Sequence, residues 1–225
     1  MRSFLCNICP YAIWVIVFCE VIIAVLLFAS WKKEKQPISF LSFLVTVGLI
    51  LDASIIGLGS FLPGEKLSAI SPVRFIAHGL LIPLLIPVCG YALRLKKPVM
   101  KVLWLFTALL MAAGAAEGAC TVLEQKEVAG VIRFASSQAT PGWAQMISRL
   151  MSFGLVIPLI LIGVVTWIRQ KTPHLFLSGF LMFAFSALGP ATGNADLIFF
   201  ISMFGELFMV WFLYLYSRRS APDGR

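Results

Sequence analysis

The chain has 225 residues, of which 60% are hydrophobic and only 12% charged, and its mean hydropathy is +0.96. That excludes an ordinary soluble domain, which is about half apolar and about a quarter charged. The net charge of +8 does not point to nucleic acid, because the basic residues gather at the ends of apolar runs.

Crossing about 30 Å of hydrocarbon takes roughly 20 helical residues, and the sequence offers seven such stretches in turn. The first, at about 10–30, follows a short leader carrying Cys6-Asn-Ile-Cys9 and no small-residue cleavage site, so it is expected to be a retained span. The second, at about 38–62, contains Asp52. The third, at about 72–94, opens on Arg74 and His78, one turn apart on one helix face, and carries Pro83 and Pro87. The fourth, at about 99–122, ends in the small-residue run from Met111 to Cys120 around Glu117, which predicts the most tightly packed span. Arg149 opens the fifth, at about 146–168, which also holds Pro158. The sixth, at about 174–191, starts at His174, an expected interface residue. Asn194 and Asp196 introduce the seventh, at about 195–217, with Glu206 near its middle. None of these runs alternates apolar with polar residues, so helices are expected and not the strands of a membrane barrel. Except at 123–145 the connections are short, which predicts one seven-helix domain over residues 1–225.

Orientation follows from the basic residues. Lys32, Lys33, Lys35, Arg94, Lys96, Lys97, Lys101, Arg169, Lys171, Arg218, Arg219 and Arg225 make twelve of the eighteen, and all lie in the first, third and fifth connections or the C-terminal tail. Arg2, Lys66, Arg74, Lys126, Arg133 and Arg149 lie opposite. The positive-inside bias then puts the N-terminus outside and the C-terminus in the cytoplasm. The same collar suits anionic headgroups. A multi-pass protein of a prokaryotic inner or plasma membrane is expected.

Two segments match in order: Arg74-Phe-Ile-Ala-His-Gly79-Leu-Leu-Ile-Pro83 and Arg149-Leu-Met-Ser-Phe-Gly154-Leu-Val-Ile-Pro158. The match predicts that spans 2–3 and 4–5 are duplicated hairpins. Asp52 then corresponds to Glu117, and each copy owns one carboxylate and one arginine, a combination that pairs well in a low dielectric. His78 stands where the second copy has Phe153. Prolines inside membrane helices free carbonyls and bend the chain, so kinks at Pro83, Pro87 and Pro158 are a route to a cavity between helices.

Ionisable side chains cost at least about 2.5 kcal/mol each in hydrocarbon, so they are expected to face the bundle interior. Most of those here fall in the outer half of the spans. The expected site is a polar pocket with His78, Asp52 and Glu117 in catalytic roles and Arg74, Arg149, Asn194, Asp196 and Glu206 binding the ligand. His78 is the candidate acid or base because it titrates near neutrality. The ligand class is a lipid or small amphiphile from the surrounding membrane. A transporter is the second reading, with Glu20 and Glu206 extending a proton or cation path inward; a structural subunit of a membrane complex is the third. Cys6 and Cys9 are a candidate thiol pair, with apolar packing the default. No motif names a cofactor, and no residue set predicts a metal site.

Required residues exclude several families. The last span contains no lysine for a retinal Schiff base, the two histidines are too far apart for an H-x-x-x-H zinc site, and neither G-x-S-x-G nor a P-loop occurs. The R-x-x-x-H motif at Arg74 and His78, with Gly193-Asn194-Ala195, resembles a family of uncharacterised prokaryotic seven-helix multi-pass membrane proteins. That resemblance implies the architecture and transfers no function.

Overall fold

The computed structural model describes residues 2–219; Arg225 and the side chain of Arg2 lie outside the described residues. The helices are α1 (Arg2–Glu34), α2 (Pro37–Leu58), α3 (Gly64–Leu81), α4 (Leu85–Ala92), α5 (Lys97–Cys120), α6 (Gly142–Gln170), α7 (His174–Thr192) and α8 (Ala195–Arg219). Prolines in the first turns of α2 and α5 start those helices where no backbone donor is needed. At the opposite boundaries Lys35, Arg94 and Lys171 take left-handed φ values of 54°, 54° and 57° and turn the chain out of α1, α4 and α6.

Seven spans are expected from the sequence, and six segments among the described residues are long and apolar enough to cross a bilayer. They are Leu5–Glu34, Pro37–Leu58, Gly64–Ala92, Lys97–Cys120, Gly142–Gln170 and Ala195–Arg219. In α7 the described apolar stretch, His174–Ala187, is shorter. The protein is therefore a multi-pass membrane protein built of helices. The third segment is interrupted: α3 gives way to a 3-10 turn at Ile82–Leu84 before α4 resumes, because Pro83 removes a backbone donor there. Pro158, its counterpart, lies within an unbroken α6. The same local sequence thus bends one helix and not the other.

Sequence neighbours pack on one another, and α8 returns to α1 and α2, which closes the bundle. One half is filled by an apolar core that includes Leu27, Val45, Leu85, Val88, Leu159 and Leu213. Outward faces stay greasy, as a lipid solvent requires: Tyr11, Val15 and Phe18 on α1 and Val102, Leu105 and Leu109 on α5 are all exposed.

The expectation that the span with the small-residue run is the most tightly packed needs correction. Only 17% of the α5 window is buried, the least of the six spans. One narrow face does all the packing. Gly79 of α3 and Gly114 of α5 meet backbone to backbone, so a Cβ on either would overlap the other, and a Cβ on Gly118 would lie 2.6 Å from the Ile76 nitrogen. Small residues let two backbones approach; they do not bury the rest of the helix.

The connection at 123–145 is also more than a loop. Strands β1 (Leu123–Val128) and β2 (Val131–Ser136) form an antiparallel hairpin in which Val128 pairs with Val131. Its two-residue turn, Ala129-Gly130, has φ values of 51° and 76°, the primed-turn geometry that fits strand twist. Val128, Ala129 and Val131 pack on Cys9, Ile13 and Phe199, while Phe134 packs on Ile55 and Leu67. The hairpin therefore lies across one end of the bundle and ties α1, α2, α3 and α8 together. Arg133 stacks 4.6 Å from the Phe199 ring centroid, and burial lowers its guanidinium from the usual range. An arginine still keeps its charge, so this contact pins the strand to α8.

Candidate functional site

Five of the expected residues meet in the half of the bundle beneath the hairpin. Asp52 of α2, Arg74 and His78 of α3, Glu117 of α5 and Glu206 of α8 line a cavity of about 210 Å³, together with Ser148 and Ser152 of α6. Arg74 is fixed by a fork: Nε donates to Asp52 Oδ1 at 2.7 Å and Nη2 to Oδ2 at 3.4 Å. Its Nη1 donates to the Phe134 carbonyl of β2 at 3.3 Å. Both side chains are 12% exposed, so the pair works in a low dielectric where bidentate geometry counts most. Part of the guanidinium's donor set stays open toward the cavity.

His78 sits one helical turn below Arg74, and both Asp52 and Arg74 are close enough to act electrostatically on His78 and on Glu206. Glu117 is 8% exposed and has Thr121 Oγ1 at 3.2 Å from its Oε1. The cavity wall thus alternates acid, base and hydroxyl groups around the one fixed guanidinium.

A second cavity of about 570 Å³ adjoins the first. It is walled mostly by apolar side chains, among them Leu49, Ile82, Leu85, Phe153, Val156, Met182 and Phe183. His78, Met151, Ser152 and Glu206 line both. Phe153 and Phe183 are 59% and 39% exposed, which places the apolar compartment beside the bundle's outer surface between α6 and α7. Ile82 reaches this wall from the 3-10 turn at Pro83.

Three expected site residues stand elsewhere. Arg149 is exposed and lines neither cavity. Asn194 Oδ1 accepts from the backbone N–H groups of Asp196 at 3.0 Å and Leu197 at 3.3 Å, an N-cap of α8. Asp196 Oδ1 accepts from the Ala129 N–H at 2.7 Å and so anchors the hairpin turn. These contacts explain the two residues by local folding. Asn194→Ala is expected to lower the stability of the purified protein by about 1 kcal/mol through the lost cap; an unchanged unfolding midpoint would refute that role.

Glu20 of α1 is fully buried, and neither carboxyl oxygen has a hydrogen-bond partner among the described residues; Glu206 and Asp52 are its electrostatic neighbours. His174, the first residue of α7, stacks on Phe212 of α8 with ring centroids 6.2 Å apart. All five cysteines are free thiols, and Cys9 is fully buried in apolar packing. Among the described residues no cluster of His, Cys, Asp and Glu could hold a metal ion.

Ser148 and Ser152 were not legible as site residues from type alone, since serines are common in membrane helices. Their four-residue spacing puts them on one face of α6, and that face carries no other polar side chain into the cavity. The Phe134 carbonyl had no sequence signal at all. No protein-family model matches the chain, and no curated protein is similar to it.

Proposed function

We propose that the joined cavities bind, and chemically modify, a lipid or small amphiphile that enters sideways from the bilayer. The observation that carries this reading is the sharing of His78, Met151, Ser152 and Glu206 by a polar and an apolar compartment. A polar group lodged in the smaller compartment leaves its hydrocarbon chain to the larger one, where burial contributes roughly 0.8 kcal/mol per methylene. Arg74, held still by Asp52, offers preorganised positive charge to an anionic group. His78 is the acid or base, and Glu117 orients it or takes the proton in turn.

In this reading the positive-inside bias sets the N-terminus outside and the basic end in the cytoplasm of a prokaryotic cell membrane, so the site opens to the outer leaflet. The matching Arg-x4-Gly segments are copies of one ancestral hairpin that diverged. The first copy supplies Asp52, Arg74 and His78 to the polar compartment, and the second supplies Glu117, Ser148 and Ser152 to it and Phe153 to the apolar wall. Transport is the rival. The buried carboxyl of Glu20 favours it by extending the acidic residues beyond the cavity, but among the described residues the polar side chains buried in the other half include only hydroxyls such as Ser42, Thr46 and Ser178, set in an apolar core, and no further buried carboxylate.

The test is lipid retention by the full chain purified in mild detergent, counted by native mass spectrometry. Ser152→Trp fills the junction of the two compartments and is expected to reduce bound amphiphile roughly tenfold or more, equivalent to about 1.4 kcal/mol. Leu105→Trp, on the exposed face of α5, should retain the wild-type amount. Equal retention in all three proteins would overturn the proposal. If His78→Ala binds the amphiphile like the wild type, His78 has no part in holding it; loss of turnover in that variant then assigns it to the chemistry.

A further inference from the structure

A different concavity, of about 510 Å³, opens at the end of the bundle opposite the hairpin. Arg94 after α4, Arg169 at the end of α6 and Arg219 at the end of α8 converge on it, with Thr166, Gln170 and Thr172 completing the polar wall. The sequence explains these arginines only as part of a general basic collar. Their placement says more. All three are exposed, among the described residues none has a carboxylate beside it in the wall, and they come from three separate elements. Three like charges brought to one rim repel one another, and a bound anion removes that repulsion.

The rim is built rather than incidental. Gln170 Nε2 donates to the Ala92 carbonyl at 2.8 Å, and Tyr216 Oη donates to Gln170 Oε1 at 3.0 Å, so one side chain locks the ends of α4, α6 and α8 together. Arg94 is aimed by its left-handed backbone, φ 54°, which a straight helical exit would not give. Thr172, 7% exposed, has a buried hydroxyl with no partner among the described residues. An unsatisfied hydroxyl in a wall of guanidiniums is a donor waiting for an acceptor-rich ligand.

From this juxtaposition we infer that Arg94, Arg169, Arg219 and Thr172 form a binding site for a phosphate-bearing anion, separate from the amphiphile cavity. Guanidinium forks match phosphate oxygens two at a time, and a tetrahedral anion can engage several at once. The site lies at the expected headgroup level, so the phosphate belongs either to an anionic lipid or to a small soluble phosphate.

The full chain, exchanged into detergent to strip native lipid, is titrated with inorganic phosphate; in parallel it is placed in nanodiscs of phosphatidylcholine with and without phosphatidylglycerol. Binding is expected with at least one probe. Phosphatidylglycerol alone identifies the headgroup as the source, and inorganic phosphate identifies a soluble one. Arg94→Gln/Arg169→Gln should weaken binding roughly tenfold or more, as loss of charge-assisted hydrogen bonds implies. Arg169→Lys should keep part of it, since an ammonium retains charge but not the fork. Lys97→Gln/Lys101→Gln removes the same charge from the same end outside the concavity and should bind like wild type. Failure of both probes, full binding by the double arginine variant, or an equal loss in the lysine control would each overturn the site.

Discussion

Arg74→Met is expected to destabilise the bundle by about 3–5 kcal/mol, because it strands the Asp52 carboxylate in a site from which water is largely excluded. Asp52→Leu should cost a similar amount by leaving the guanidinium unpaired. The double variant, Asp52→Leu/Arg74→Met, should recover most of the loss, since replacing a whole buried pair by apolar side chains is close to neutral. Recovery will be incomplete because Arg74 also donates to the Phe134 carbonyl and ties β2 to α3. Thermal unfolding in detergent measures all four proteins. If the double variant is no better than the worse single one, the two side chains do not act as a unit. The same set separates scaffold from site: a double variant that folds yet binds no amphiphile assigns the preorganised charge to the ligand.

The second large effect concerns glycines that look alike in sequence. Gly79→Ala should cost about 3 kcal/mol or more, because the new methyl group meets the rigid Gly114 backbone and α3 and α5 must separate. Gly154→Ala should instead be neutral or stabilising by about 0.5–1 kcal/mol, since only the Leu150 side chain lies near, at 3.6 Å, and alanine favours helix over glycine. Unfolding midpoints of the two variants decide the matter. Similar midpoints would mean that α3 and α5 are not in backbone contact.

The positions of the apolar helices and the Arg74–His78 face were legible because both follow from spacing along one chain segment. So was the partnership of Asp52 with Arg74, which rests on two opposite charges on consecutive helices. The extension of symmetry to Glu117 and Arg149 did not follow, for a geometric reason. Equivalent sequence fixes a residue's place on its own helix, whereas its partner depends on how the neighbouring helix is rotated and how close it comes. Gly79 draws α5 against α3; Gly154 draws nothing equally near. The hairpin was hidden because Leu-Glu-Gln-Lys-Glu-Val has little apolar alternation, and its strands are held mainly by one another and by the end of the bundle. The arginine concavity was hidden in a different way: its three members are 50 to 125 positions apart in sequence, counting Arg94, Arg169 and Arg219 along the chain, and only the fold brings them to one rim.

The buried carboxyl of Glu20 has a consequence for how the protein is made. Its hiding place depends on α8, which packs on α1 yet emerges from the ribosome long after it. Until then α1 must sit in the bilayer with an acidic side chain that has nowhere to go, at a cost of roughly 2.5–3.5 kcal/mol. The arrival of the last helix completes the enclosure of that side chain, and it brings Glu206 near it rather than a hydrogen-bond donor. In a nascent chain stalled before α8, that carboxyl is expected to meet lipid on the side of α1 where α8 otherwise packs.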